Sequence, residues 1–418
     1  MATVKPFKAL RPPKNLAEKV AGPPYDVLDS REAREMAAGN PFSILHVNKP
    51  EIDLPESVDL YDEQVYRQGQ LNLKRMIDEG TFVQDPSPSF YVYKQIMGSH
   101  QQIGLVACAS VEQYEKDLIK KHELTRQAKE DDRVKHIDYL NAQVGPVFLT
   151  YRASAVIDGI MAGLVNEDPE VDFAGEDGIR HTLWPVSDPQ TITALQEAFE
   201  AVPCLYVADG HHRSAAATRI KNMRQSANAR HNGQEAYNYF LVVLFPDDQM
   251  QILDYNRLVQ DLNGLSKEDF LKAVEENFVV THQPRGACKP ENPHEFGLYL
   301  AGDWYKMVAR PDSFDDEDPV KRLDVSILQE NLIRPILGIA DLRKDKRIDF
   351  VGGIRGLGEL EKRVDSGEWA VGIALFPTSI SDLISVADAG LIMPPKSTWF
   401  EPKLKSGLFI HSLGRADN

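Results

Sequence analysis

Strand-sized apolar runs and amphipathic helical stretches alternate from one end of this 418-residue chain to the other. The longest apolar run, Phe240 to Phe245, is no longer than a strand. A strand buried on both faces reads as such a run, whereas a membrane helix needs about 20 apolar residues. The alternation predicts a mixed α/β (α+β) protein. Strands are expected at Phe90–Met97 and Ile103–Val111, joined across Gly98-Ser99-His100, and at 147–151, 171–174, 182–186, 203–208 and 239–245. Later strands are expected at 296–300, 305–309 and 370–376. Helices are expected from the Asp29/Ser30 cap to Met36, over 59–79, after Thr125, from the Ser187/Asp188 cap to Glu200, near Ser214, over 324–337 and over 380–389.

Composition narrows the functional classes. The chain has 42% apolar and 26% charged residues, which suits a soluble globular protein and excludes disordered and fibrous classes. Its 47 Lys+Arg against 63 Asp+Glu leave a net charge of −16. That charge repels polyanions, so nucleic acid and anionic membranes are not expected partners. The three cysteines, Cys108, Cys204 and Cys288, are far apart, with no CxxC spacing. This argues against a disulfide framework or a structural zinc and fits a reducing cytoplasm. The opening residues carry no apolar core of signal-peptide length, so a cytoplasmic protein is expected. The length allows two or three domains, or one large intertwined one. The Pro/Gly-rich loop at 283–293 offers the boundary, giving regions 1–282 and 283–418.

One segment concentrates chemistry. The apolar run Pro203–Ala208 enters Asp209-Gly210-His211-His212-Arg213 and then a helix rich in small residues, Ala215 to Ala217. Glycine permits a tight turn, and a helix start presents backbone N–H groups to an anion. Arg213 adds a planar fork for phosphate oxygens and the histidines add donors. Asp209 is placed to orient a histidine or hold a hydrated magnesium ion.

Other segments are weaker. His122-Glu123-Leu124-Thr125-Arg126 begins like a zinc-protease motif, but Arg126 stands where HExxH needs its second histidine. What remains is a His122–Glu123 pair beside basic residues. Glu123 suits a general base for a hydroxyl, and Arg126 or Arg133 a neutraliser of phosphate charge. Pro394-Pro395-Lys396-Ser397-Thr398 lacks the glycines of a P-loop, although Lys396 has the reach for a phosphate. Pro24-Tyr25-Asp26 sets a carboxylate on a rigid turn, and Gly352 to Gly358 lacks the GxGxxG register of a dinucleotide site.

Taken together, Pro23–Leu28 (PPYDVL), His122–Thr125 (HELT), Ala208–Arg213 (ADGHHR), Leu244–Pro246, Asp324–Leu328 and Met393–Leu408 (MPPKSTWFEPKLKSGL) resemble a widespread bacterial and archaeal conserved family of unknown function. More distantly, Asp209–Arg213 is similar to the phosphate-binding turn of the ParB/sulfiredoxin-like superfamily, which includes free-serine kinases. That resemblance implies a ParB/sulfiredoxin-like core within 1–282, elaborated by further strands and helices, with the loop from Met393 supplied by 283–418. It implies ATP or ADP with Mg2+, phosphate contacts from Gly210 and Arg213, and Glu123 as the base.

The leading expectation is a nucleotide-dependent kinase acting on a small hydroxyl substrate, with free serine foremost. His122, Glu123 and Asp209 are its catalytic candidates. Gly210, His211, His212, Arg213, Arg126 and Lys396 are its binding candidates. Two alternatives stay open. One is a non-enzymatic nucleotide-binding regulator of ParB type. The other is a metal-dependent hydrolase or phosphatase built on His122, His211, His212 and Asp209.

Overall fold

The computed structural model describes residues 2–284 and 286–414, and the chain forms two compact units. The first takes the chain up to Lys121, Thr125 to Met250, and the tail from Pro402. The second takes His122–Leu124 and Gln251–Glu401. The boundary expected at 282/283 therefore falls inside the second unit, and Arg285 of that loop lies outside the described residues.

The first unit is built on a nine-stranded mixed sheet. Its strands are β1 (Val4–Lys5), β2 (Phe90–Met97), β3 (His100–Ser110), β4 (Ile119–Lys120), β5 (Val147–Tyr151), β6 (Val171–Ala174), β7 (Arg180–Val186), β8 (Leu205–Asp209) and β9 (Tyr239–Pro246). Their order is β4-β8-β5-β9-β3-β2-β7-β6, with β1 against β3. The pairs β4/β8 and β5/β9 are parallel and the others antiparallel. Side chains alternate across a strand, so Leu205 and Val207 of β8 join Leu149, Val242 and Leu105 in one core. Ile157 and Met161 of α4 (Ala155–Leu164) and Leu195 and Phe199 of α5 (Pro189–Glu200) complete that core.

The longer of the other helices in this unit are α1 (Ser30–Ala37), α2 (Glu63–Asp78), α3 (Gln127–Leu140) and α6 (His211–Ala227). Asp29 caps α1 in a capping box with Glu32. The small residues of α6 serve two contacts: Ala217 reaches the sheet core, while Ala216 and Ile220 pack against Val134 and Ile137 of α3. The tail returns into the same unit. Ser406 and Gly22 exchange backbone hydrogen bonds, as do Ile410 and Leu10, and Phe409 packs on Tyr91 at 5.0 Å.

In the second unit, β10 (Gln251–Leu253), β11 (Tyr255–Val259), β12 (Phe278–Gln283), β13 (Glu295–Leu300), β14 (Asp303–Ala309), β15 (Ile348–Gly352), β16 (Val371–Leu375) and β17 (Trp399–Glu401) form two sheets. Six of them pair antiparallel in the order β12-β14-β13-β16-β11-β15, and β10 pairs β17. Of its helices, α7 (Asp324–Leu328) continues into a π turn, and α8 (Gly358–Asp365) packs Leu360 and Val364 on this sheet's core. The glycine-rich stretch has a packing reason: a Cβ at Gly352 would lie 2.6 Å from the Trp399 ring. Among the described residues no helix is long and apolar enough to cross a membrane.

Asp324 carries a stability consequence. Its Oδ1 accepts the His294 N–H at 2.9 Å, and its Oδ2 is buried without a partner among the described residues. Burial pushes its pKa up to about 7, against the opposing pull of the His294 bond. The unfolded chain releases this proton near the ordinary carboxyl pKa, so stability falls as pH rises from there through 7. Asp324→Asn keeps the acceptor for His294 and removes the charge. The variant should melt higher than the parent at pH 8.5, by up to roughly 4 kcal/mol, with the difference vanishing near pH 4. Thermal melts of both proteins across that range check it.

Candidate functional site

Strand β8 leads directly into the site. Its pairing with β5 runs Tyr206 to Thr150 and Val207 to Leu149, then slips, so that Asp209 faces Phe148. A bulge of this kind re-aims the residues beyond it. Gly210 follows with φ +102°, in the left-handed region that an L side chain adopts only under strain. Helix α6 starts at His211, three residues earlier than the sequence pattern placed it, so His211, His212 and Arg213 form its first turn. The Ser214 N–H makes the first intrahelical bond, to the Gly210 carbonyl at 3.0 Å. The N–H groups ahead of it have no acceptor within the helix, and together with the helix dipole they favour an anion there.

Arg213 folds back over the turn. A Cβ at Gly210 would sit 3.0 Å from its Nε, so glycine is required for space as well as for φ. Its Nη1 donates to the Pro146 carbonyl, its Nη2 lies 3.8 Å from Asp209 Oδ1, and its Nε is buried without an acceptor among the described residues. Asp209 also meets Lys403 Nζ at 3.3 Å. Burial would raise the Asp209 pKa, but Lys403 and then Arg213 hold its carboxyl well below the usual range. Asp209 is therefore an anion clamped between two cations. Lys403 stands in the tail loop that the sequence marks out, 194 residues beyond Asp209, and only the fold identifies it as part of the site.

His212 Nε2 accepts the backbone N–H of Arg126 at 3.1 Å. An accepting Nε2 carries no proton, so the ring is neutral and its Nδ1 holds the hydrogen. Burial, and then repulsion from Arg126, lower the His212 pKa in agreement. Arg126 thus enters through its backbone, while its side chain is exposed. His211 is buried. Thr125 Oγ1 donates to Glu130, which lies 3.6 Å from Arg219 of α6.

The other candidates lie in the second unit. The His122 carbonyl accepts the Met393 N–H at 2.8 Å, and Glu123 follows it in the same segment. Lys396 has φ +62°, its carbonyl accepts from Arg257 Nη2 at 2.9 Å, and its ammonium lies 5.5 Å from the centre of the Tyr255 ring. In the first unit, Asp26 is exposed and Tyr25 lies under the Arg133 guanidinium, 3.8 Å from ring centre to Cζ.

No curated protein matches this chain. Among solved structures, the free serine kinase in complex with AMP is 12% identical, over 68% of this chain and 84% of that one, with a TM-score of 0.34. A conserved hypothetical protein from Pyrococcus furiosus is 12% identical over 70% and 93%, with a TM-score of 0.33. SbnI with a C-terminal truncation, from Staphylococcus aureus, is 13% identical over 75% and 90%, with a TM-score of 0.32. Residues 4–326, about three quarters of the chain, match the family described as protein of unknown function (DUF1015), and the chain belongs to that family.

Proposed function

We propose that the chain is a nucleotide-dependent phosphotransferase whose phosphate site is the Gly210 turn, acting on a small hydroxyl substrate such as free serine. The observation that carries this reading is the buried Arg213 Nε, without an acceptor among the described residues and folded over a glycine-started helix. A phosphate at the turn would accept from that Nε, from the leading N–H groups of α6 and from the neutral His212 Nδ1–H. The resemblance of Asp209–Arg213 to the phosphate-binding turn of the superfamily that includes free-serine kinases supports the same reading.

In this reading Glu123 takes the substrate hydroxyl proton. The hydroxyl oxygen then attacks the terminal phosphorus of ATP or ADP. The bond to the bridging oxygen breaks, and ADP or AMP leaves with the electron pair. Phosphoryl transfer of this kind depends chiefly on positioning and charge neutralisation. Glu123 precedes Arg126 by three residues, so the chain tethers its Cα within about 11 Å of the residue that holds His212. Asp209 does not fit as a magnesium ligand, because Lys403 and Arg213 already neutralise it. Its role in this reading is to hold those two cations in place, and no step is assigned to a metal at Asp209.

Two outcomes test the reading. Arg213→Gln should weaken ADP and ATP binding by roughly 10- to 100-fold, the loss of about 1.5–3 kcal/mol expected for charge-assisted bonds. Calorimetric titration measures it, and unchanged affinity removes the phosphate from this turn. Glu123→Gln should leave nucleotide affinity within about twofold while turnover drops by about 100-fold or more, in the upper range for a lost general base. Retained turnover in that variant would take the base role away from Glu123.

A further inference from the structure

Beside the Gly210 turn, wholly within the first unit, lies a cavity enclosing about 480 Å³ of empty space, its open mouth included. Among the described residues its lining includes the arginines Arg133 and Arg213 and no Asp or Glu. In a chain of net charge −16 such a lining needs a cause. Arg133 is held by packing rather than by solvent: its side chain is 10% exposed, it stacks on Tyr25, and Asp132 takes its Nε and Nη2 at 3.0 and 2.7 Å. Asp132 is itself fixed by the Tyr66 hydroxyl at 2.9 Å. This leaves Arg133 Nη1 as a positioned donor.

Gln143 provides the second observation. It lines the same cavity, is 6% exposed, and its Nε2 is buried without a partner among the described residues. Its orientation is set by the backbone, since Oε1 accepts the Leu241 N–H at 2.7 Å. The amide therefore cannot flip to hide its donor without losing that bond. Leaving a buried donor unmade is costly, and a ligand acceptor would recover that cost. Burial, and then the nearby Asp26 charge, push the Tyr25 pKa up to about 12, so Tyr25 keeps its hydroxyl proton.

We propose that this cavity binds a small carboxylate, its two oxygens accepting from Arg133, Gln143 and Arg213. A guanidinium suits either anion, but three donor groups match the two oxygens and single charge of a carboxylate better than the three oxygens of a phosphate dianion. The walls contributed by Ile137 and Val147 suit a short carbon chain. The inference adds a carboxylate-bearing ligand to the phosphotransfer reading and does not rest on it.

The test is calorimetric titration of the full chain, without nucleotide, with two- to five-carbon hydroxy, amino and keto acids and the amide of each. At least one acid should bind with its amide about tenfold weaker or more. Gln143→Glu keeps the acceptor for Leu241 and replaces the donor by an anionic oxygen. It should weaken the acid by about tenfold or more, while ADP affinity stays within about twofold. If that variant loses its melting transition, Gln143→Leu takes its place with the same expected loss. The proposal is overturned if no acid binds below about 10 mM, if acid and amide bind alike, if the Gln143 variants bind the acid as the parent does, or if inorganic phosphate binds there more tightly than every acid. Because nucleotide is absent, these results are read independently of whether phosphate is transferred.

Discussion

Asp209 lies between Lys403 and Arg213, and the candidate site depends on that arrangement. Two local features and one long-range return create it. The register slip at the end of β8 re-aims Asp209, the left-handed Gly210 turns the chain into α6, and the tail loop brings Lys403 back across 194 residues. The pairing fixes both cations and leaves Arg213 Nε without an acceptor among the described residues. Losing Asp209 would leave two cations close together, so its first role is electrostatic restraint.

The restraint extends beyond the turn. Arg213 also donates to the Pro146 carbonyl and lines the cavity shared with Arg133 and Gln143. One side chain therefore connects a helix start suited to phosphate with a pocket suited to a carboxylate. In an acidic protein, such paired cation sites select small anions while the overall field still repels polyanions.

Much of this was legible in the sequence, for identifiable reasons. The Pro203–Ala208 run gives β8 because strands buried on both faces are continuously apolar, and the capping residues Asp29 and Asp188 mark their helices. The sequence pattern places the start of α6 three residues late because His-His-Arg resembles loop composition. Its place in the first turn follows from Gly210 and the β8 bulge, which no local pattern reveals. Helix α4 escaped notice because its Ala- and Gly-rich sequence has neither a strong stripe nor a side-chain cap. The tail from Pro402 belongs to the first unit because it pairs with Gly22 and Leu10, a long-range return that composition does not record. Lys403 is hidden for the same reason. Lys396 lies in the second unit, with its ammonium 5.5 Å from the centre of the Tyr255 ring.

The central claim is that the Gly210 turn holds a nucleotide phosphate during transfer to a small alcohol. Phosphorus-31 NMR tests it most directly. The purified chain would be incubated with magnesium and ATP or ADP, together with a pool of amino acids and small hydroxy acids. The account predicts that a phosphate monoester resonance grows in step with ADP or AMP, and that Gly210→Ala abolishes both. Intact nucleotide throughout, or nucleotide cleaved to inorganic phosphate with no monoester formed, would contradict it.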